Sequence, residues 1–208
     1  MSDKASPTRP THCIDCAKPM ESPICCTHCG SLNPVPLVSI NYFEFFDIKP
    51  GYDINQDELH KKYLCLSRTT HPDMAGRDSD EMRNRALMLN AELNRAYETL
   101  KDPIERAEYL LALAGGPTPS DDKSVPGDLL GEIMMIREEI EEAKSTNKTP
   151  MLETLKNQIC QKERTVREQI AVLARSLDKN DPTNKKAMRK QLNAIKYWNN
   201  LLEQLPTG

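Results

Sequence analysis

The residues with the clearest chemical potential are cysteines near the start of the chain. Cys13 and Cys16 form one Cys-x-x-Cys pair, and Cys26 and Cys29 form a second pair nine residues later. Four thiolates on two tight turns can surround one zinc ion tetrahedrally, each at about 2.3 Å. Four cysteines fill the shell and leave no position open for a substrate, so the pattern indicates one structural zinc ion. Cys25 could replace Cys26, although only Cys26 keeps the Cys-x-x-Cys spacing.

Other uses of these thiols are weaker alternatives. A thioredoxin-like redox motif requires a surrounding βαβ pattern, which this stretch lacks, while unbound thiols and ligation by His12 or His28 stay open. Lys18 is the only lysine or arginine in residues 12–30, so no basic footprint for nucleic acid is present. Gly30 suits the left-handed position that such cysteine turns often use. Because two short turns cannot bury a core, the metal should supply most of their folding free energy.

A second feature is the tripeptide His71-Pro72-Asp73. Proline fixes its own φ and moves the preceding residue out of the helical region, so the tripeptide should end a helix and present a rigid exposed loop. The Asp73 carboxylate could pair with an arginine of a partner. Acid–base catalysis is not expected, because two neighbouring loop residues without a pocket or a third orienting group do not make a catalytic site. A plain helix-breaking loop is the alternative.

Helices must position this loop. A short aromatic helical piece is expected over 41–46, then helices over 55–69 and 79–101, with Asn55 and Ser79 as N-caps. A third helix should run from Pro103 to a C-cap at Gly115 and Gly116. The predicted core positions of the last two helices are Ala86, Leu89, Leu93, Ala96 and Leu100, followed by Tyr109, Leu110 and Leu113.

The last part of the chain predicts three more helices, near 128–144, 151–177 and 184–205. Amphipathic helices joined by short polar turns favour an antiparallel bundle. Ile133, Ile136 and Ile140 make the better core stripe of the first of them, with Trp198 as core packing on the last.

Composition excludes several classes of protein. The chain has 208 residues, a net charge of -3 and 28% charged residues, so a basic histone-like protein is excluded. With a mean hydropathy of -0.63 and no apolar run near the ~20 residues that a spanning helix needs, no membrane association is expected. Seven cysteines, an odd number with five close together, argue against a secreted disulfide framework. The start, MSDKASPTRP, has no apolar signal region and makes no convincing transit peptide.

The stretch NYFEFFDI, a helix carrying Lys61 and Lys62, the His-Pro-Asp loop and the sequence NRAYETLKDPIERAEYLL together resemble a J-domain. Residues 12–205 as a whole resemble an HscB-type (Jac-type) iron–sulfur co-chaperone, and the tetracysteine ribbon resembles its metazoan-type members. The resemblance implies a protein without enzyme activity that stimulates ATP hydrolysis by a DnaK-type chaperone. The implied chaperone-binding residues are His71, Pro72, Asp73, Lys61, Lys62 and Arg68.

The same resemblance implies that the C-terminal bundle binds the scaffold protein on which iron–sulfur clusters are built. The scaffold-binding positions that it assigns are Leu130, Met134, Arg137, Glu138 and Tyr197, whereas Gly131 and Met135 depart from the family pattern. The family commonly works in mitochondria, with the cytoplasm as the alternative here. A general J-domain co-chaperone for unfolded clients, or a thiol or zinc redox protein, are the rival functions.

The predicted fold is mostly α-helical, with a small zinc ribbon, a J-domain with an antiparallel hairpin and a three-helix bundle. Its segments are a disordered tail (1–11), the ribbon (12–30), a linker (31–39), the J-domain (40–114), a second linker (115–127) and the bundle (128–208).

Overall fold

The computed structural model describes residues 12–20, 22, 24–32, 40–71 and 80–205. Within these residues the prediction of a mostly helical fold is confirmed. The helices are α1 (Tyr42–Phe45), α2 (Gln56–Thr69), α3 (Asp80–Lys101), α4 (Pro103–Leu113), α5 (Leu129–Ser145), α6 (Thr149–Arg175) and α7 (Pro182–Gln204). The chain divides into two compact units, Met1–Asp102 and Pro103–Gly208. No helix among the described residues is both long and apolar enough to span a bilayer.

In the first unit, α2 and α3 form an antiparallel hairpin. Asn55 caps α2 as predicted, its side chain accepting a hydrogen bond from the Glu58 amide at 3.0 Å. Across the hairpin, Tyr63 Oη donates to Asn94 Oδ1 at 2.9 Å, and the Tyr63 and Tyr97 rings stack with centroids 4.1 Å apart. The predicted apolar stripe of α3 is buried along its whole length. The stripe holds the hairpin together because its burial removes apolar surface from water.

The short helix α1 supports this hairpin. Asn41 and Glu44 make a reciprocal capping box, which satisfies amides that a four-residue helix cannot satisfy internally. Phe43, Phe45 and Phe46 are buried, and α1 packs on α3. The aromatic piece predicted over 41–46 is therefore a core element of the first unit.

In the second unit, α5, α6 and α7 pack together as the predicted bundle, and α4 also packs on α6 and α7. Arg189 of α7 is fully buried and donates to both carboxylate oxygens of Glu108, at 2.5 Å each. The prediction for the buried side of α4 was wrong, because Ala107 and Leu111 are buried while Leu113 is 38% exposed. Tyr109 and Leu110 are only half-buried. The need of Arg189 for a counter-ion turns the face that contains Glu108 toward α7.

The last two helices begin earlier than their predicted starts at 151 and 184. Pro150 and Pro182 lie in the first turns of α6 and α7, where the missing N–H costs no hydrogen bond. Asp181 caps α7 by accepting from the amides of Thr183 and Asn184 at 2.9 and 3.0 Å. The predicted cap Ser79 and the predicted tail 1–11 lie outside the described residues.

Candidate metal centre and partner-binding surfaces

The structure brings together the four cysteines that the spacing singled out. The sulfurs of Cys13, Cys16, Cys26 and Cys29 lie within 4.8 Å of one another. The Sγ atoms of Cys13 and Cys29 are 3.6 Å apart, as are those of Cys16 and Cys26. A tetrahedron with 2.3 Å metal–sulfur bonds has sulfur–sulfur edges of about 3.8 Å. The cluster therefore fits one metal ion with four soft ligands.

The backbone folds each cysteine pair into the same kind of turn. Gly30 has φ of +72°, as its position predicted, and Ala17 takes the matching place after Cys16 with φ of +57°. The amides of Ala17 and Gly30 donate to the carbonyls of Cys13 and Cys26, each at 2.9 Å. Because Ala17 carries a Cβ, this left-handed conformation costs free energy that the rest of the turn must offset. In the described residues these turns are joined by isolated β-bridges and no regular strand.

Electrostatics at the cluster favour a cation. Backbone N–H groups of Cys29 and His28 point at the Cys26 sulfur and lower the pKa of Cys26 to about 7. The Ser31 amide acts in the same direction on Cys29, but desolvation and the neighbouring thiols outweigh it and raise the pKa of Cys29 to about 12. A second thiolate is thus disfavoured beside the first, and a divalent ion would remove that repulsion.

Cys25, the rival of Cys26 in the sequence, stands outside the four-sulfur group. Its Sγ lies 3.8 Å from the Cys26 carbonyl oxygen and 4.0 Å from that of Gly30. Desolvation raises the pKa of Cys25, followed by charge effects of Cys26, Cys13 and, from α2, Cys65. His12 and His28 are not members of the group either. The geometry therefore selects Cys26 over Cys25.

Of the predicted chaperone-binding residues, His71 lies exposed just beyond the C-cap of α2, while Pro72 and Asp73 fall outside the described residues. Lys61 and Arg68 are exposed two turns apart on one face of α2. Leu64, 42% exposed, lies between them and was missed because a single leucine gives no sequence signal.

Lys62 differs from these residues because it binds within its own unit. Its Nζ donates to the Asp47 carbonyl at 2.6 Å and pairs with Glu58 at 3.1 Å. Lys62 is therefore half-buried and already engaged, whereas Lys61 and Arg68 project from the exposed face.

The predicted scaffold-binding residues of α5 share one exposed face. Leu130 and Met134 are 50% and 63% exposed, and Arg137 and Glu138 are exposed beside them. Met135 is 64% exposed but lies on a different side of the helix. The opposite face, which includes the predicted core stripe, is buried and consists of Leu129, Ile133, Ile136, Ile140 and Ala143.

Tyr197 of α7 has different neighbours. It is half-buried in the wall of a cavity of about 350 Å³, and none of the four α5 residues lines this cavity. The other lining residues come from α7 and from the segment before α5 and are Pro119, Lys123, Asn193, Lys196 and Asn200. Asn193 holds that segment by donating to the carbonyls of Asp122 and Ser124, each at 2.9 Å.

Helical hairpin, exposed loop-end histidine and adjoining cationic helix face define the first unit as a J-domain, and residues 41–109 match the model of the DnaJ domain. Residues 125–206 match the HSCB C-terminal oligomerisation domain. A co-chaperone HscB homologue of Neisseria gonorrhoeae is 37% identical over 120 residues, which cover 57% of this chain and 72% of the relative. The chain belongs to the HscB co-chaperone family.

Two solved structures have the same fold. Chaperone HscB from Vibrio cholerae matches with a TM-score of 0.67 and 26% identity, over 80% of this chain and 95% of that one. The crystal structure of human co-chaperone protein HscB matches with a TM-score of 0.77 and 23% identity, over 93% and 96% of the two chains.

Proposed function

We propose that this protein is a co-chaperone of iron–sulfur cluster assembly that has no active site of its own. It stimulates ATP hydrolysis by a DnaK-type chaperone through the His71 loop and presents the cluster scaffold protein through the C-terminal unit. The observation that carries the proposal is the exposed His71 at the end of the cationic face of α2, in a chain of the HscB family.

The chaperone-binding part of the proposal rests on charge and exposure. Lys61 and Arg68 can meet acidic groups of the chaperone without first breaking an internal contact, and Leu64 adds apolar area between them. Lys62 contributes to the hairpin instead, since its ammonium group is already bound by Asp47 and Glu58.

The scaffold-binding part rests on the exposed face of α5. Leu130 and Met134 offer apolar anchors, while Arg137 and Glu138 on the same face can fix the orientation of a partner. Tyr197 would contribute through the cavity on α7, so the scaffold would have to reach both places or Tyr197 would act by holding the segment before α5 in place.

The scaffold contact is tested by replacing Leu130 and Met134 together with alanine and measuring scaffold affinity by calorimetry. Truncating two interface anchors should weaken binding by about tenfold or more. Met135→Ala is the matched control, because Met135 is as exposed as Met134 but lies on another side of α5. Equal affinity of the double variant and the control would remove the assignment, and binding of unfolded polypeptides instead would favour a general J-domain co-chaperone.

The ion at the cysteine cluster is proposed to be zinc, at one per chain. Four thiolates favour Zn²⁺ over the oxygen-preferring ions, and a filled tetrahedral shell suits a structural role. Zinc would tie the two cysteine turns together in a segment with little core of its own, since only Cys13, Met20 and Cys26 form its buried cluster.

A further inference from the structure

The carboxylate of Asp15 connects three separate parts of the first unit. Asp15 lies between Cys13 and Cys16 in the first cysteine turn. Its Oδ2 accepts a hydrogen bond from the Ser31 hydroxyl, which follows the second cysteine turn and belongs to a residue only 6% exposed. The same Oδ2 lies 3.9 Å from Nη1 of Arg85 on α3. One oxygen atom therefore links both cysteine turns to the hairpin.

Arg85 lies at the loop end of that hairpin. The contacts of His60 with Tyr97 and of Tyr63 with Asn94 set the antiparallel alignment of α2 and α3. Followed toward the loop, this alignment brings Arg85 level with the end of α2, after which His71 comes. Arg85 is also fixed within α3 by its pair with Glu81 at 2.6 Å.

We propose that Asp15 is a positioning residue that couples metal occupancy of the ribbon to the loop end of the α2–α3 hairpin. The proposal rests on the proposed metal site. A bound ion fixes the turn from Cys13 to Cys16 and so fixes the Asp15 carboxylate between Ser31 and Arg85. Arg85 in turn holds the first turns of α3. Because such coupling is reciprocal, a partner that orders the loop end would also tighten metal binding.

The test measures zinc affinity of the full chain by chelator competition. Arg85→Gln leaves the ribbon sequence intact and should lower zinc affinity by about two- to fivefold, the range of a partly exposed ion pair. Asp15→Asn also weakens the Ser31 contact and should lower it by about tenfold. The double variant should lose little more than Asp15→Asn alone, because both changes remove the same interaction. Arg95→Gln is the control, since Arg95 is 71% exposed on α3 and pairs with Glu92.

Hydrogen exchange gives a second readout that a merely structural role would not produce. Removing zinc from the wild type should speed exchange of the amides between Glu81 and Arg85, and zinc-loaded Arg85→Gln should already exchange faster there than zinc-loaded Arg95→Gln. Equal zinc affinity and equal exchange in Arg85→Gln and Arg95→Gln would overturn the coupling while leaving the metal site intact. A wild-type protein that binds no zinc would overturn both proposals.

Discussion

The buried ion pair between α4 and α7 gives the sharpest stability prediction. Arg189 is fully buried, and both of its Nη atoms lie 2.5 Å from the Glu108 carboxylate. Its Nε has no hydrogen-bond partner among the described residues, so Glu108 is the main compensation for the buried charge. Glu108→Gln keeps the shape of the side chain but removes its charge. Leaving an uncompensated buried charge costs about 3–5 kcal/mol.

The lower end of this range applies, because the Glu108 side chain is 32% exposed and water can approach the altered group. A loss of about 3 kcal/mol should lower Tm by roughly 10 °C in a chain of this size. Circular dichroism during heating measures the shift. Glu141→Gln is the control, since Glu141 pairs with Lys144 at the surface with 65% of its side chain exposed, and its Tm should change by about 1–2 °C at most. Equal Tm values for the two variants would refute the reasoning.

Three further predictions follow from single positions. Gly116→Ala should destabilise the second unit by about 1–3 kcal/mol in urea unfolding, since its Cβ would lie 2.3 Å from Leu111 Cδ1; Gly131→Ala, with nothing within 4 Å, should stabilise it by about 0.5–1 kcal/mol, and the opposite ranking would contradict the packing. Cys13→Ser should abolish stoichiometric zinc in elemental analysis of the purified protein, whereas Cys25→Ser should retain it; zinc in both would contradict the ligand set. Arg68→Ala should weaken chaperone binding and its salt dependence in a titration series more than Lys62→Ala, because Lys62 is held by Asp47 and Glu58.

Local signals predicted most of the fold. Asn55, the apolar stripe of α3 and the left-handed Gly30 depend on residues close in sequence, and each is found where the pattern put it. The early starts of α6 and α7 were missed because proline marks a helix boundary without telling on which side of it the first turn lies.

The position of α4 could not be predicted from its own residues. Tyr109, Leu110 and Leu113 are its most apolar cluster, but the helix buries Ala107 and Leu111 instead. The deciding group is Arg189, which is far along the chain and gives no sign in the sequence that it will be buried. The boundary between the compact units accordingly falls between Asp102 and Pro103, and the predicted boundary at 115–127 stays a prediction about sequence domains.

The candidate site was predictable where chemistry follows spacing. Two Cys-x-x-Cys pairs led to the four clustered sulfurs, and helical periodicity led to the shared exposed face of Leu130 and Met134. The internal engagement of Lys62 and the contact of Asp15 with Arg85 depend on tertiary packing, so no local pattern announced them. The roles of these residues toward partners, and the mitochondrial location, stay predictions.

The central claim is tested most directly by single-turnover ATP hydrolysis of a DnaK-type chaperone in the presence of this protein and the cluster scaffold. The wild-type protein should raise the hydrolysis rate, and His71→Gln should abolish that increase while scaffold binding and the far-ultraviolet circular dichroism spectrum stay unchanged. A chaperone that hydrolyses ATP equally fast with wild type and with His71→Gln would contradict the account.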